Sequence, residues 1–414
     1  MRYLSAFLLL FTGFSCFAQE SMTIQQCEAS FLKNNLLLLA EQFNITASKA
    51  AVVQAKIWDQ PYLSGEINAI NPQDRKVFDV GNPGQKGLAI QQLIYLGGKK
   101  KNEVAFAQSN IAIAELQLEQ LVRNLKFQIN QDFYDIFFNQ KSINALNLQI
   151  SKLDTLLVSY QIQSDKNNIA LKEVVRLQSL VLGLKNEKNT LQKETIEKQK
   201  EIQLITGVNN FLTPVVNEPE LDTKYNLTKI SKDSLLTIAL SKNPDYLTAV
   251  KITENQDLFL KWQKSLSTPD LTLGLSYDQR GGAFRNQINV SFGIPLPVWN
   301  RNKGNIMIAE AQLNQLGITR DYKKMEIQNN IDAALQVWQQ QQSQYVAINK
   351  SVSSNLESVY QGVLGNFQKR NITLLEFTDF IESYNQTTIQ LNELKKGWVI
   401  ASLNLNFVTN TEVF

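Results

Sequence analysis

Histidine is missing from this chain of 414 residues, and cysteine appears only twice, at Cys16 and Cys27. Without imidazole the protein lacks the commonest general base and the commonest neutral metal ligand, which argues against an enzyme and implies no cofactor. Neither sign of charge dominates. The 41 basic and 38 acidic side chains are spread along the chain and leave a formal charge of +3, so no basic field points to nucleic acid. Beyond the first residues no run approaches the ~18 continuous apolar residues of a spanning helix. The chain is then either soluble outside the cytoplasm or inserted in a membrane as strands. Proline is absent from Lys99 through Gly207, so nothing there interrupts a long helix.

The opening segment "MRYLSAFLLLFTGFSCFAQES" has a basic start at Arg2, an apolar run from Leu4 through Phe14, and a small residue at Ala18. These are the marks of a secretory signal peptide over residues 1–18, which is set aside from the fold. An alternative is lipidation at Cys16, although Gly13 and Phe14 make a poor lipidation signal. Cleavage after Ala18 leaves Cys27 alone, so packing and not a disulfide must hold the exported chain together.

A seven-residue period runs through the proline-free region. One seam is Val122, Ile129, Ile136, Ile143, Ile150 and Leu157; its companion is Leu118, Leu125, Asp132, Asn139, Leu146 and Leu153, with two polar interruptions. About 60 helical residues would span roughly 90 Å, too long for the core helix of a compact domain. A second helix, from about Leu171 to Leu204, repeats leucine at 177, 184 and 191 and stops at Gly207. The later half repeats the plan. There Ile331, Trp338, Tyr345, Val352 and Val359 are seven apart, and a last helix covers about Leu374 to Leu405.

Short segments of period two lie between the helices. "DLTLGLSYD" sets Leu271, Leu273, Leu275 and Tyr277 against Thr272, Gly274, Ser276 and Asp278, and "NQINVSFGIPL" sets Ile288, Val290, Phe292, Ile294 and Leu296 against small or polar residues. At about nine to eleven residues each they have the length of a tilted membrane-crossing strand. The first half offers a weaker pair, "YLSGEINAI" and "GLAIQQLIYLGG", joined by a long polar loop.

The two halves also share a phrase. "KNNIALKE" at Lys166–Glu173 and "KRNITLLE" at Lys369–Glu376 match in Lys, Asn, Ile, Leu and Glu, and "LKNNLLLLA" at 32–40 resembles "SKNPDYLTA" at 241–249. The expected organisation is a first repeat over 19–207, with strands about 61–70 and 87–96 and a helical hairpin about 99–206. A linker or equatorial segment covers 208–232. The second repeat covers 233–408, with strands about 269–279 and 286–297 and a hairpin about 303–407, and a tail covers 409–414. The fold class is therefore mainly α with a small β part, a duplicated helix-strand-strand-long helix-helix unit. Four strands with one apolar face leave open edges that hydrocarbon does not tolerate, so closure requires several chains. Three copies give a trimeric 12-stranded β-barrel with a lumen. Phe133 and Phe137, beside the main seam, suit a helical tube that packs neighbours on both sides.

The signal segment, the duplicated plan, the strand endings "LIYLGGKKKNEVAFAQ" and "FGIPLPVWNRNKGNIMIAEAQL", and the two tips built on Asn-Ile-x-Leu-x-Glu resemble the TolC-like outer membrane efflux proteins. Pro295–Gly304 and Asn371–Tyr384 look most like the branch paired with resistance-nodulation-division pumps for heavy-metal cations. The resemblance implies a homotrimer in outer membrane lipid, a β-barrel continuing into a periplasmic α-helical barrel. It further implies docking on a periplasmic adaptor (membrane fusion protein) and an inner membrane pump, and passive conduction with no catalysis. A type I protein secretion exit channel, or a soluble periplasmic coiled-coil adaptor or scaffold, are the alternatives. Glu376, Asp379, Glu382 and Glu173 are candidates for a periplasmic acidic gate, or else for a solvated face near helix N-termini. Asn168, Ile169, Leu171, Asn371, Ile372 and Leu374 are candidates for adaptor-contacting tips, compatible with capping and hairpin packing. Where the family often has glycine before the tip, this chain has Asn167 and Arg370, and arginine tolerates the left-handed conformation poorly. Lys99–Lys101 and Arg301–Lys303 are expected at the barrel rim, where long cationic side chains reach lipid head groups.

Overall fold

The structure is a computed structural model that describes residues 20–72, 74–82, 84–226, 231–281, 283–348 and 354–414. The expected signal segment, Cys16 and Val352 lie outside the described residues. Chain order begins β1 (Glu20–Met22), α1 (Ile24–Asn34), α2 (Leu36–Lys56), β2 (Tyr62–Ile67), β3 (Ile70–Asn71), β4 (Lys76–Val77), β5 (Gln85–Ile94), α3 (Lys99–Asp165) and α4 (Leu171–Thr206). A connector with β6 (Leu212–Pro214) and α5 (Glu218–Lys224) follows. Then come α6 (Lys232–Lys242), α7 (Pro244–Ser265), β7 (Leu271–Arg280), β8 (Phe284–Gly293), α8 (Lys303–Ile348), α9 (Ser354–Gln368) and α10 (Leu374–Thr409). The chain is thus mainly helical and duplicated, with a small β part.

The duplication is visible in the caps. Asn35 accepts from the backbone N–H groups of Leu37 and Leu38 at 2.9 and 3.0 Å, and Asn243 accepts from those of Asp245 and Tyr246 at 2.9 and 3.4 Å. Each caps the second helix of its repeat. The equivalent of Asn243 is therefore Asn35, not Asn34 as the matched letters suggest, because the cap sits one residue before the helix in both copies. Among the described residues α2 is one helix long and apolar enough to cross a membrane, contrary to the sequence expectation. It has that character by length and composition alone, and α2 buries Val52 and Ala55 against Ala107 of α3.

Two compact units divide the chain. One comprises Leu39–Gln120 and Leu240–Gln328; the other comprises residues up to Leu38, Leu121–Ala239 and Asn329–Phe414.

The first of these holds an all-antiparallel four-stranded sheet in the order β2-β5-β7-β8. Cross-strand pairs Leu63↔Ile90, Ile90↔Leu275 and Leu275↔Val290 put the apolar residues of all four strands on one face. Ser64↔Ala89, Ala89↔Ser276 and Ser276↔Asn289 make the other face small and polar. On the apolar face Leu63, Leu88, Ile90, Leu275, Val290 and Phe292 are all exposed. The outer edges of β2 and β8 pair with nothing among the described residues. The long loop between β2 and β5 carries its own short ladder, β3 with β4. The last strand stops at Gly293 and not near Leu296, because β7 begins opposite it and Pro295 and Pro297 have no N–H to donate.

Both strands that lead into long helices do so through a left-handed turn. Gly97 and Gly98 have φ of +66° and +74°, and Asn302 takes φ +55° after β8. The N–H groups of Asn102 and Ile306 donate to the carbonyls of Gly98 and Asn302, at 2.9 and 3.0 Å, so Asn302 replaces a glycine. Lys99 does not reach toward lipid. It is 7% exposed and pairs with Asp270 at 2.6 Å, while Lys100 pairs with Glu103 at 3.0 Å.

The other unit is built on the heptads. On α3 every seam position from Ile129 to Leu153 is buried, including Asp132 and Asn139. The polar interruptions are thus inside. Asp132 accepts from Lys198 of α4 at 2.9 Å, and burial still pushes its carboxyl up to about 6. Leu177, Leu184 and Leu191 of α4 are buried against this seam. Short helix α5 ties several helices together: Glu218 pairs with Lys141 at 2.8 Å and Lys395 at 3.2 Å, and Asp222 with Lys395 at 3.0 Å.

The seam of the second repeat departs from its expected spacing. Ile331, Trp338 and Tyr345 are buried, but Val359 is 49% exposed and Tyr360 is 2% exposed. The inward position has moved by one residue between Tyr345 and Tyr360.

Candidate functional site

The repeated phrase forms two turns with one set of hydrogen bonds. At the first, the N–H groups of Asn167 and Asn168 donate to the carbonyls of Ser164 and Gln163, each at 2.9 Å. At the second, those of Arg370 and Asn371 donate to Phe367 and Asn366 at 3.0 and 2.9 Å. This is the paired ending of a helix on a left-handed residue. Asn167 has φ +59° and Arg370 φ +63°, so arginine adopts the glycine-like conformation despite its side chain. The amides of Asn168 and Asn371 also reach back to the side chains of Gln163 and Asn366, at 2.7 and 3.3 Å.

Past the turn the copies differ. Thr373 caps α10 with a full capping box: its hydroxyl accepts from the Glu376 N–H at 3.2 Å, and the Glu376 carboxylate accepts from the Thr373 N–H at 2.8 Å. These bonds hold the Glu376 carboxyl below the ordinary carboxylate range. Ala170 opens α4 with no side-chain bond, which leaves Glu173 in the first turn without a cap to complete. Leu374 is buried, while Leu171 is exposed; Ile169 and Ile372 are half-buried. Asp379 and Glu382 are exposed on α10, away from its buried Phe377 and Ile381.

Between the hairpins α3–α4 and α9–α10 lies a groove of about 1080 Å³. Leu153, Leu156, Tyr160, Phe367 and Phe377 give it an apolar and aromatic wall, and Asn168, Ile169, Arg370, Ile372 and Leu374 line its tip end. Phe367 stacks on Phe377 with centroids 4.1 Å apart and on Tyr160 at 6.5 Å. Higher up, Lys152 donates to the Tyr360 hydroxyl at 3.1 Å, which donates to Gln149 at 3.2 Å. Burial, with Glu173 nearby, pushes the Tyr160 phenol up. The structure thus brings four of the six candidate tip residues, Asn168, Ile169, Ile372 and Leu374, to the groove, with Leu171 and Asn371 outside it and exposed. Of the four acidic candidates, Glu376, Asp379 and Glu382 lie on α10 and Glu173 lies on α4. Sequence reasoning missed Tyr160, Phe367 and Phe377; their only signal was aromatic residues flanking each tip.

The chain matches no family model. Among curated proteins it is similar to the cobalt-zinc-cadmium resistance protein CzcC of Cupriavidus metallidurans, 18% identical over 377 residues that cover 90% of this chain and 86% of that protein. It is also similar to the outer membrane efflux protein BepC of Brucella suis, 21% identical over 97% of this chain and 88% of that one. Solved structures share its fold. CusC superposes with a TM-score of 0.74 at 17% identity, covering 94% of this chain and 92% of that one. The Campylobacter jejuni CmeC outer membrane channel does so with a TM-score of 0.74 at 14% identity, covering 94% and 87%.

Proposed function

We infer that this chain, one of the TolC-like outer membrane efflux proteins by its fold and its full-length relatives, is the outer membrane channel of a tripartite efflux system. The observation that carries this reading is the sheet, with its exposed apolar face, its small polar face and two unpaired edges. Such a sheet is stable in hydrocarbon only when further copies close it, and three copies supply twelve strands around a polar lumen. A soluble coiled-coil scaffold would leave that apolar face in water. The second apolar stripe of α4, with Val175, Leu182 and Ile196 exposed, supports lateral packing of helices from neighbouring copies.

The tip groove is the proposed seat of a periplasmic adaptor, whose amphipathic helices would cover its aromatic wall. Asp379 and Glu382 are the proposed acidic gate. Their carboxylates, exposed and without an ion pair among the described residues, support that role, whereas Glu376 is occupied in capping its helix. The similarity to a cobalt-zinc-cadmium resistance protein supports divalent metal cations as cargo, which an acidic entrance would favour.

Recovery from the outer membrane fraction as a heat-resistant trimer is the expected result, and monomeric recovery from the soluble periplasm would overturn the reading. Deletion followed by growth on cobalt, zinc and cadmium salts tests the cargo; unchanged tolerance counts against metal efflux.

A further inference from the structure

The segment that follows β8, Ile294–Trp299, keeps the alternation of the strand but leaves the sheet. Ile294, Leu296 and Val298 continue the parity of the apolar face and are exposed. Pro295 and Pro297 cannot extend the hydrogen-bonded ladder, and the chain instead closes on itself. The Val298 N–H donates to Leu296 at 2.8 Å and the Arg301 guanidinium to Pro297 at 3.0 Å. At the end of this turn Trp299 is 95% exposed.

The first repeat shows what such an aromatic does when its own chain supplies a partner. Counted back from the matching helix turns at Gly98 and Asn302, the residue corresponding to Trp299 is Tyr95. Tyr95 packs on Trp58 with centroids 5.6 Å apart and lies under Lys100, whose ammonium is 5.2 Å from its ring. Among the described residues Trp299 has no such aromatic or cationic neighbour. Arg301 and Lys303 beside it are exposed, and among the described residues neither forms an ion pair with a carboxylate.

We propose that Ile294–Trp299 is a membrane-interface anchor, with Leu296, Val298 and Trp299 seated at the headgroup–acyl boundary of the periplasmic leaflet and Arg301 and Lys303 on lipid phosphates. The inference rests on the reading of the chain as an outer membrane channel. Continuity selects lipid as the occupant: the apolar face that the strands present to hydrocarbon runs into this segment at the end that enters α8. Charge complementarity selects it again, because two cations without carboxylate partners flank an indole, the combination that concentrates at membrane–water interfaces.

The test uses the full-length protein in phosphatidylcholine–phosphatidylglycerol vesicles whose acyl chains carry bromine near the headgroup. Trp299→Phe should remove roughly half or more of the tryptophan emission that bromolipid quenches, since tryptophan at the interface is within reach of the quencher. Arg301→Glu with Lys303→Glu should cut that quenching about twofold in anionic vesicles and leave it unchanged in neutral ones. All three positions are exposed, so the variants spare the fold. Unchanged quenching after Trp299→Phe, in protein that still floats with the vesicles, overturns the anchor while leaving the channel reading intact. A blue-shifted Trp299 emission that bromolipid does not reach assigns the segment to a second copy of the chain and also overturns it. Failure to float with vesicles at all overturns the channel reading, and the anchor with it.

Discussion

Asn168 and Asn371 hold their turns with matching backbone and side-chain bonds, yet three residues later Leu171 is 65% exposed and Leu374 is 7% exposed. The duplication has kept the backbone device and changed the packing. A helix ending on a left-handed residue needs only local hydrogen bonds, which each copy supplies from its own letters. Burial depends on what lies across from the helix, and there α10 meets Phe367 and Tyr360, while at the start of α4 Leu171 meets solvent and Val174 is the first buried residue. The second tip is therefore capped by a side chain and packed from the first residue of its helix, whereas the first has no side-chain cap and is packed only from Val174 onward.

Deleting packing should separate the tips most. Phe377→Ala removes a buried ring stacked on Phe367 and should cost about 3–5 kcal/mol, read as faster amide hydrogen exchange through the first turns of α10. Next, Leu374→Ala should cost about 2–5 kcal/mol, whereas Leu171→Ala should stay within about 0.5 kcal/mol. Equal effects at the two leucines would erase the distinction.

Caps come third. Thr373→Ala should cost about 1 kcal/mol at the second tip, and Ala170→Thr should gain up to about 1 kcal/mol at the first, where Glu173 already stands at the capping-box position. The sign of the pH dependence follows from Glu376. Its folded pKa is depressed, so its contribution is present above the ordinary carboxylate pKa and fades as pH falls through the lowered one. Glu376→Gln should remove that acid limb of the stability profile. The smallest effect is expected at the turns themselves. Arg370→Gly relieves a left-handed arginine at some entropic cost and should stabilise by about 0.5–1 kcal/mol, with Asn167→Gly closer to neutral. Thermal melting of the two variants side by side checks the order.

Much of the fold was legible because it is periodic. The seam from Ile129 to Leu153 came out buried at each position, Asp132 and Asn139 included, since a seven-residue repeat leaves one helix face to bury. Period two likewise put Leu275 and Val290 on one face of β7 and β8. What escaped was relational. Val359 continued the heptad on paper, but Tyr360 is the buried residue. Lys99 looked like a rim cation, but Asp270, far along the chain, holds it at 2.6 Å. At the site the tips were readable and the groove was not, because its wall joins Tyr160 to Phe367 and Phe377 from separate helices.

The sequence by itself determined two hairpins with two tips, strands with one apolar face, and the places where helices start and stop, because these depend on residues a few positions apart. Only the tertiary structure decided at which tip the leucine is buried, which lysine is neutralised within the fold, and that Trp299 finds no aromatic partner among the described residues. Each of those outcomes depends on a contact between residues that local propensity and periodicity leave unspecified.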